Sequence, residues 1–149
     1  MTVTVEAVDA TDAHVLAVLR KRHDGQEVGF EGSYGFAYDV VTHGWRKASH
    51  RALDTALSTE RFPVPANTLE QPLVPGERVP LEIALLPQAT RFRAGDELEV
   101  EIRGSWIFPA NPLISQFPAR YESGPSDSVV LLLGPDNPSH ITLPIRRVL

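Results

Sequence analysis

Between Glu97 and Arg103 the chain reads ELEVEIR, and this alternation constrains the fold more than any other feature. Side chains of an extended strand point alternately to two faces, so Leu98, Val100 and Ile102 fall on one side. Glu97, Glu99, Glu101 and Arg103 fall on the other. A helix, turning about 100° per residue, cannot sort the run this way. The pattern predicts a half-solvated strand with its apolar side chains facing inward. Similar runs recur. Thr2–Val8 (TVTVEAV) places Val3, Val5 and Ala7 on one face, and Ala13–Arg20 (AHVLAVLR) is apolar enough for burial on both. Asp24-Gly25 follows as a turn signal, because glycine tolerates the positive φ of a tight hairpin. Val79–Leu86 sets Val79, Leu81, Ile83 and Leu85 on one side. Ser128–Leu133 and His140–Ile145 read as two further strands across the turn-rich Gly134-Pro135-Asp136-Asn137-Pro138. The 13 prolines and 10 glycines fall mostly between these runs, which points to an all-β sandwich or barrel.

One stretch disagrees. In Gly44–Leu57 (GWRKASHRALDTAL), Trp45, Ala48, Ser49, Ala52, Leu53 and Ala56 fall at helical spacing, and periodicity alone predicts a helix. Two long stretches carry no periodicity. Ser58–Glu77 is Pro-rich and extended. Trp106–Asp127 holds Trp106, Ile107, Phe108, Leu113, Ile114 and Phe117 with Pro109, Pro112 and Pro118 between them. Irregular stretches of this length in compact domains are often functional or covering elements. Trp106, Ile107, Phe108, Leu113 and Phe117 are therefore candidate binding or domain-interface residues. They either cover a partner, a second subunit or a substrate, or fold over the domain's own core, and the sequence leaves both open.

Bulk composition narrows the function. With 149 residues, 42% hydrophobic, the chain is long enough for one domain that buries roughly 70% of its unfolded surface. It has no cysteine, which excludes disulfides, thiolate metal sites and cysteine nucleophiles and leans toward the cytoplasm. Nineteen acidic and 14 basic residues give a net charge of −5 with no basic stripe, against a nucleic-acid partner. No apolar run approaches the ~20 residues of a membrane span. The first eight residues lack the charged and apolar regions of a signal peptide.

Catalytic chemistry finds little footing. A serine nucleophile on a strained turn is marked G-x-S-x-G, and the nearest approach is Ser33 in Glu31-Gly32-Ser33-Tyr34-Gly35, where Glu31 replaces the first glycine. His14, His23, His43, His50 and His140 are scattered, without metal-ligand spacing, so no metal or cofactor is expected. Glu97, Glu99 and Glu101 share a strand face about 6–7 Å apart, the usual pattern of a solvated surface. The most distinctive polar cluster is Ser49-His50-Arg51. Arginine offers five donors in a fixed fork, so a structural network tying loops together is favoured over contact with a ligand or a catalytic domain.

Four segments carry a resemblance. Gly44–Asp54 (GWRKASHRALD), Leu73–Glu77 (LVPGE), Phe92–Leu98 (FRAGDEL) and Gly134–Ser139 (GPDNPS) followed by Leu143-Pro144-Ile145 occur in order and at rough spacing. Together they resemble the C-terminal jelly-roll domain of the cocaine-esterase/X-Pro dipeptidyl-peptidase (CocE/NonD) serine hydrolases. Asp96 departs from the resembled pattern, which often has His there, and Leu131-Leu132-Leu133 stands where relatives often carry histidines. The resemblance implies an all-β, jelly-roll β-sandwich, galactose-binding-domain-like, over residues 1–149 as a single domain that begins after the family's jelly roll starts. It also implies that Trp45–Arg51 is a strand followed by a turn, and this reading is followed over the helix.

Three functions compete. The resemblance implies a non-catalytic accessory domain whose partner is an α/β-hydrolase catalytic domain acting on esters or X-Pro peptides. In that role it supports the catalytic domain, shapes substrate access, and has a homodimer as a second candidate assembly. A stand-alone binding module for carbohydrate is the alternative, with Trp45 and Trp106 as the tryptophan platforms. An independent enzyme would have to use Ser33, a histidine or carboxylates from distant strands.

Overall fold

Alternation becomes a sheet only where a neighbouring strand supplies hydrogen bonds. The computed structural model describes residues 1–29, 40–105, 128–136 and 139–147. Its strands are β1 (Thr2–Ala7), β2 (His14–His23), β3 (Gln26–Glu27), β4 (Thr42–Lys47), β5 (Arg78–Glu82), β6 (Asp96–Arg103) and β7 (Val129–Leu132). One 3-10 turn, Ala48–His50, is the only helical element among the described residues.

The chain divides into two units. The first comprises Met1–Ala13, Arg46–Ala84 and Gly124–Leu149. Its sheet has the order β5-β1-β7, antiparallel throughout. Val3 pairs with Leu81, and Val5 with Val79 on one side and Leu131 on the other. Paired residues share a face, so Val3, Val5, Val79 and Leu81 meet there, each 4% exposed or less. Burying each such side chain stabilises by about 1.5–3 kcal/mol, which is why the β1 register is specified.

The second unit comprises His14–Trp45 and Leu85–Ser123, with the sheet order β3-β2-β4 and β6 on β2. Val15 to Leu19 are all buried, as expected of a strand covered on both faces. The β2–β3 hairpin turns at Asp24 (φ 48°) and Gly25 (φ 73°), the pair of positive φ values that a two-residue primed turn requires. Antiparallel β6 pairs with β2 from Leu16↔Arg103 to His23↔Asp96. Just before it, Gly95 has φ 88°, and a Cβ there would lie 3.2 Å from His23 Cε1.

Two expectations need correction, on His140–Ile145 and on β6, while the Gly44–Leu57 conflict resolves to the strand and turn. Gly44–Leu57 is not a helix: β4 runs to Lys47, the 3-10 turn follows, and turns occupy Thr55–Leu57. Trp45–Arg51 is thus strand to Lys47 followed by a turn, as the resemblance implies. Pairing overrides the alanine-rich periodicity, since Ala48 N–H donates to the Ala13 carbonyl (2.7 Å). His140–Ile145 is not a strand. His140 exchanges two backbone bonds with Thr2 (2.8 and 2.9 Å), no strand follows, and Ile145 is 87% exposed. In β6 the apolar side chains are not turned inward as expected. Leu98 and Val100 are exposed, while Glu99 and Glu101 are partly covered by ion pairs to β2.

Candidate functional site

A reactive centre in this chain would need a nucleophile that a substrate can reach. The densest polar cluster forms where β4 ends. Lys47 closes the strand, and the 3-10 turn swings Ser49 inward and His50 beside it. Asp12, in the segment after β1, receives the Ser49 N–H (2.9 Å), the Ser49 hydroxyl (2.8 Å) and the Ala13 N–H (2.8 Å). Lys47 Nζ lies 3.1 Å from Asp12 and 3.2 Å from Glu70. Burial pushes the Asp12 carboxyl up, but the bonds from Ser49, Lys47 and Ala13 outweigh it and hold it below its ordinary value.

These are a serine, a histidine and an aspartate in contact, but in the wrong order. A triad places the histidine between nucleophile and acid. Here Ser49 Oγ sits between Asp12 and His50, whose Nδ1 is 3.0 Å away. Since the hydroxyl proton is committed to Asp12, the network assigns the Nδ1 hydrogen to His50, which then donates to Ser49 and cannot act as its base. An alkoxide at Ser49 would face a carboxylate 2.8 Å away. Ser49 is also 1% exposed. The arrangement fastens a turn to a loop and does no acyl transfer.

Arg51 joins the same network. Its Nη1 donates to the Gln71 carbonyl (2.5 Å) and the Ala48 carbonyl (3.3 Å), and Nη2 meets Glu77 Oε1 at 3.4 Å. Sequence reasoning missed Asp12 and Arg46. Arg46 is 5% exposed, and its guanidinium donates from Nε to the Glu82 carbonyl (2.7 Å) and from Nη2 to those of Glu82 (2.5 Å) and Pro63 (3.5 Å). Burial lowers its pKa, with Glu82 opposing. The available signal was the two-residue period, which places Arg46 on one face of β4 with Thr42 and Gly44, all three buried. Asp12 lies 37 residues from Ser49, and no local pattern marks it.

Elsewhere the polar groups pair with one another. Two acids of the β6 row pair across to β2: Arg20 meets Glu101 (2.9 Å), as well as Glu27 of β3 (2.6 Å), and Arg22 meets Glu99 (2.5 Å). Asp96 accepts the Arg93 N–H (2.7 Å), Lys21 (2.9 Å) and His23 Nδ1 (3.0 Å). The Arg93 N–H and then Lys21 draw its carboxyl down to about 2. Trp45 is about half exposed and stacks on His43, ring centroids 6.3 Å apart and 19° from parallel. Among the described residues no group of three or more His, Asp or Glu is placed to hold a metal. No helix among them is long and apolar enough to cross a membrane. Trp106, Ile107, Phe108, Leu113 and Phe117, and Ser33, lie outside the described residues.

Comparison with known proteins gives this inert centre a context. The family model described as the X-Pro dipeptidyl-peptidase C-terminal non-catalytic domain matches residues 2–141. Two crystal structures of a CocE/NonD family hydrolase from Staphylococcus aureus are similar at 30% sequence identity, with TM-scores of 0.80 and 0.81. They align with 91% of this chain, which spans 25% of theirs. Among curated proteins no match is found. The all-β sandwich class is shared with those structures. The chain belongs to the family of X-Pro dipeptidyl-peptidase C-terminal non-catalytic domains found in CocE/NonD hydrolases.

Proposed function

We propose that this chain is the accessory domain of a serine hydrolase cleaving esters or X-Pro peptides, supporting an α/β-hydrolase domain and shaping access to its active site. The observation that carries the reading is the family match over residues 2–141, whose members are non-catalytic parts of larger hydrolases. Ser49 agrees with it, because this serine, beside both a histidine and an aspartate, is buried and bonded in a non-catalytic order. The catalytic serine, acid and histidine belong to the α/β-hydrolase domain. Ser49, His50 and Arg51 act structurally, and Trp106, Ile107, Phe108, Leu113 and Phe117 are the candidates for binding or for the domain interface. We place the assembly in the cytoplasm, with residues 1–149 as one domain and a homodimer as its second mode of association.

The test is to expose the purified chain to a serine-reactive fluorophosphonate and to an activated ester. Neither labelling nor turnover above buffer is expected. Stoichiometric labelling of any serine, Ser33 included, overturns the reading. A second measurement addresses the supporting role. The staphylococcal hydrolase is made with its matching C-terminal quarter replaced by this chain, and ester turnover is followed. The chimera is expected to turn over substrate with a changed KM, whereas an inactive chimera counts against the accessory role.

A further inference from the structure

The segment after the 3-10 turn is irregular yet heavily fastened. Asp54 Oδ1 accepts the N–H groups of Ala56 (2.9 Å) and Leu57 (3.0 Å), and Ser58 N–H donates to the Asp54 carbonyl (2.9 Å). Asp54 N–H donates to the Val64 carbonyl (2.9 Å). Ser58 Oγ accepts from Val64 N–H (2.9 Å) and donates to its carbonyl (3.2 Å). Thr59 and Phe62 exchange backbone bonds of 3.1 and 3.2 Å. Beneath, Pro63 is buried and its carbonyl is held by the Arg46 guanidinium. Residues 54–64 thus form a closed, tied loop rather than a loose connection.

Such a loop would ordinarily turn polar side chains outward. This one exposes Leu57 at 65% and Phe62 at 46%. Single exposed apolar residues are common, but two large ones on a loop fixed by its own backbone bonds are a preformed contact that loses little freedom when covered. What lies outside this chain in its relatives indicates the occupant. The chain aligns with a quarter of the staphylococcal hydrolase, and three-quarters of that protein remains to be held against a non-catalytic domain. We infer that the loop 54–64, through Leu57 and Phe62, is a docking element for the hydrolase domain. The inference rests on the accessory-domain reading and names a surface for it.

The experiment uses the chimera described above, with this chain in place of the C-terminal quarter. A photo-cross-linking phenylalanine analogue is placed at position 62 and, as control, at the exposed position 145, and cross-linked peptides are mapped by mass spectrometry. Cross-links from position 62 are expected to reach the hydrolase part in at least roughly tenfold excess over those from position 145, as for a buried anchor against a free surface. The double variant Leu57→Asp/Phe62→Asp is expected to raise the rate of proteolytic separation of the two parts at least tenfold. In the isolated chain its unfolding midpoint stays within about 2 °C, because exposed side chains away from special features contribute little. An active chimera that shows neither the cross-links nor the faster separation overturns the inference and leaves the accessory reading standing. An inactive chimera made with the unsubstituted chain sinks both.

Discussion

Arginine does two different jobs in the two units. In the first, Arg46 and Arg51 point into the protein and bind carbonyls: Glu82 and Pro63 for one, Gln71 and Ala48 for the other. In the second, Arg20 and Arg22 lie on a sheet face and bind carboxylates of β3 and β6. The lesson is one of substitutes. Water can solvate a surface carboxylate once its arginine is gone, whereas a covered carbonyl loses its donor outright. Charge content alone would rank the surface ladder first, but the buried forks hold the irregular half of the molecule in place.

The sharpest way to break this contrast is Arg46→Met, which keeps the stem and removes the donors. It should destabilise the chain by about 2–4 kcal/mol in urea unfolding, the range for losing hydrogen bonds from a buried charged group. A change as small as that at a surface arginine would erase the distinction. Next comes Ser49→Ala, which leaves Asp12 with a bond fewer and should cost about 1–2 kcal/mol. Chemical denaturation at neutral pH measures it.

Acid separates the groups in another way. Asp96 and Asp12 both have folded-state pKa values below the ordinary aspartate value. A depressed carboxyl contributes stability that is complete above its unfolded pKa and lost as pH falls through its folded one. For Asp96 that window runs from the ordinary aspartate value of 3.8 to about 2. The thermal midpoint should therefore fall through this window, and Asp96→Asn should flatten the fall while lowering the midpoint at neutral pH. An unchanged acid limb would show that Arg93 and Lys21 do not hold that charge.

Smaller still is Thr4→Val. Thr4 Oγ1 is buried without a hydrogen-bond partner, so losing it should change stability by about 0–1 kcal/mol, in the stabilising direction, in a thermal melt. A clear loss would mean the hydroxyl is partnered in solution. Least affected should be Arg22→Ala, whose midpoint shift is expected to be the smallest of the set and to vanish in about 0.5 M salt as screening removes the attraction.

Much of the fold could be read from the chain because burial and period agree. Val3, Val5 and Ala7 are buried on β1, and Val15 to Leu19 are buried along β2, as their spacing implies. In β6 the period was legible but the direction was not. ELEVEIR shows that two faces exist, yet which one is covered depends on the neighbour, and the β2 register sets Arg20 against Glu99 and Arg22 against Glu97. A strand in isolation carries no record of that partner. The helix that periodicity alone gives for Gly44 to Leu57 does not form for a related reason, because alanine content is a weak preference that strand pairing overrides, and the strand and turn implied by the resemblance are what the segment adopts. The polar cluster was half visible. Ser49, His50 and Arg51 stood out as neighbours in sequence, while Asp12 and Arg46 take their meaning from folding alone.

Gly95 carries a consequence for how sequences of this kind can drift. Its φ of 88° disfavours any side chain, and the space a Cβ would take is held by the ring of His23. Two positions 72 residues apart are thereby tied into one choice. Where a related sequence replaces the glycine, position 23 should have shrunk with it, so the two ought to covary rather than vary singly.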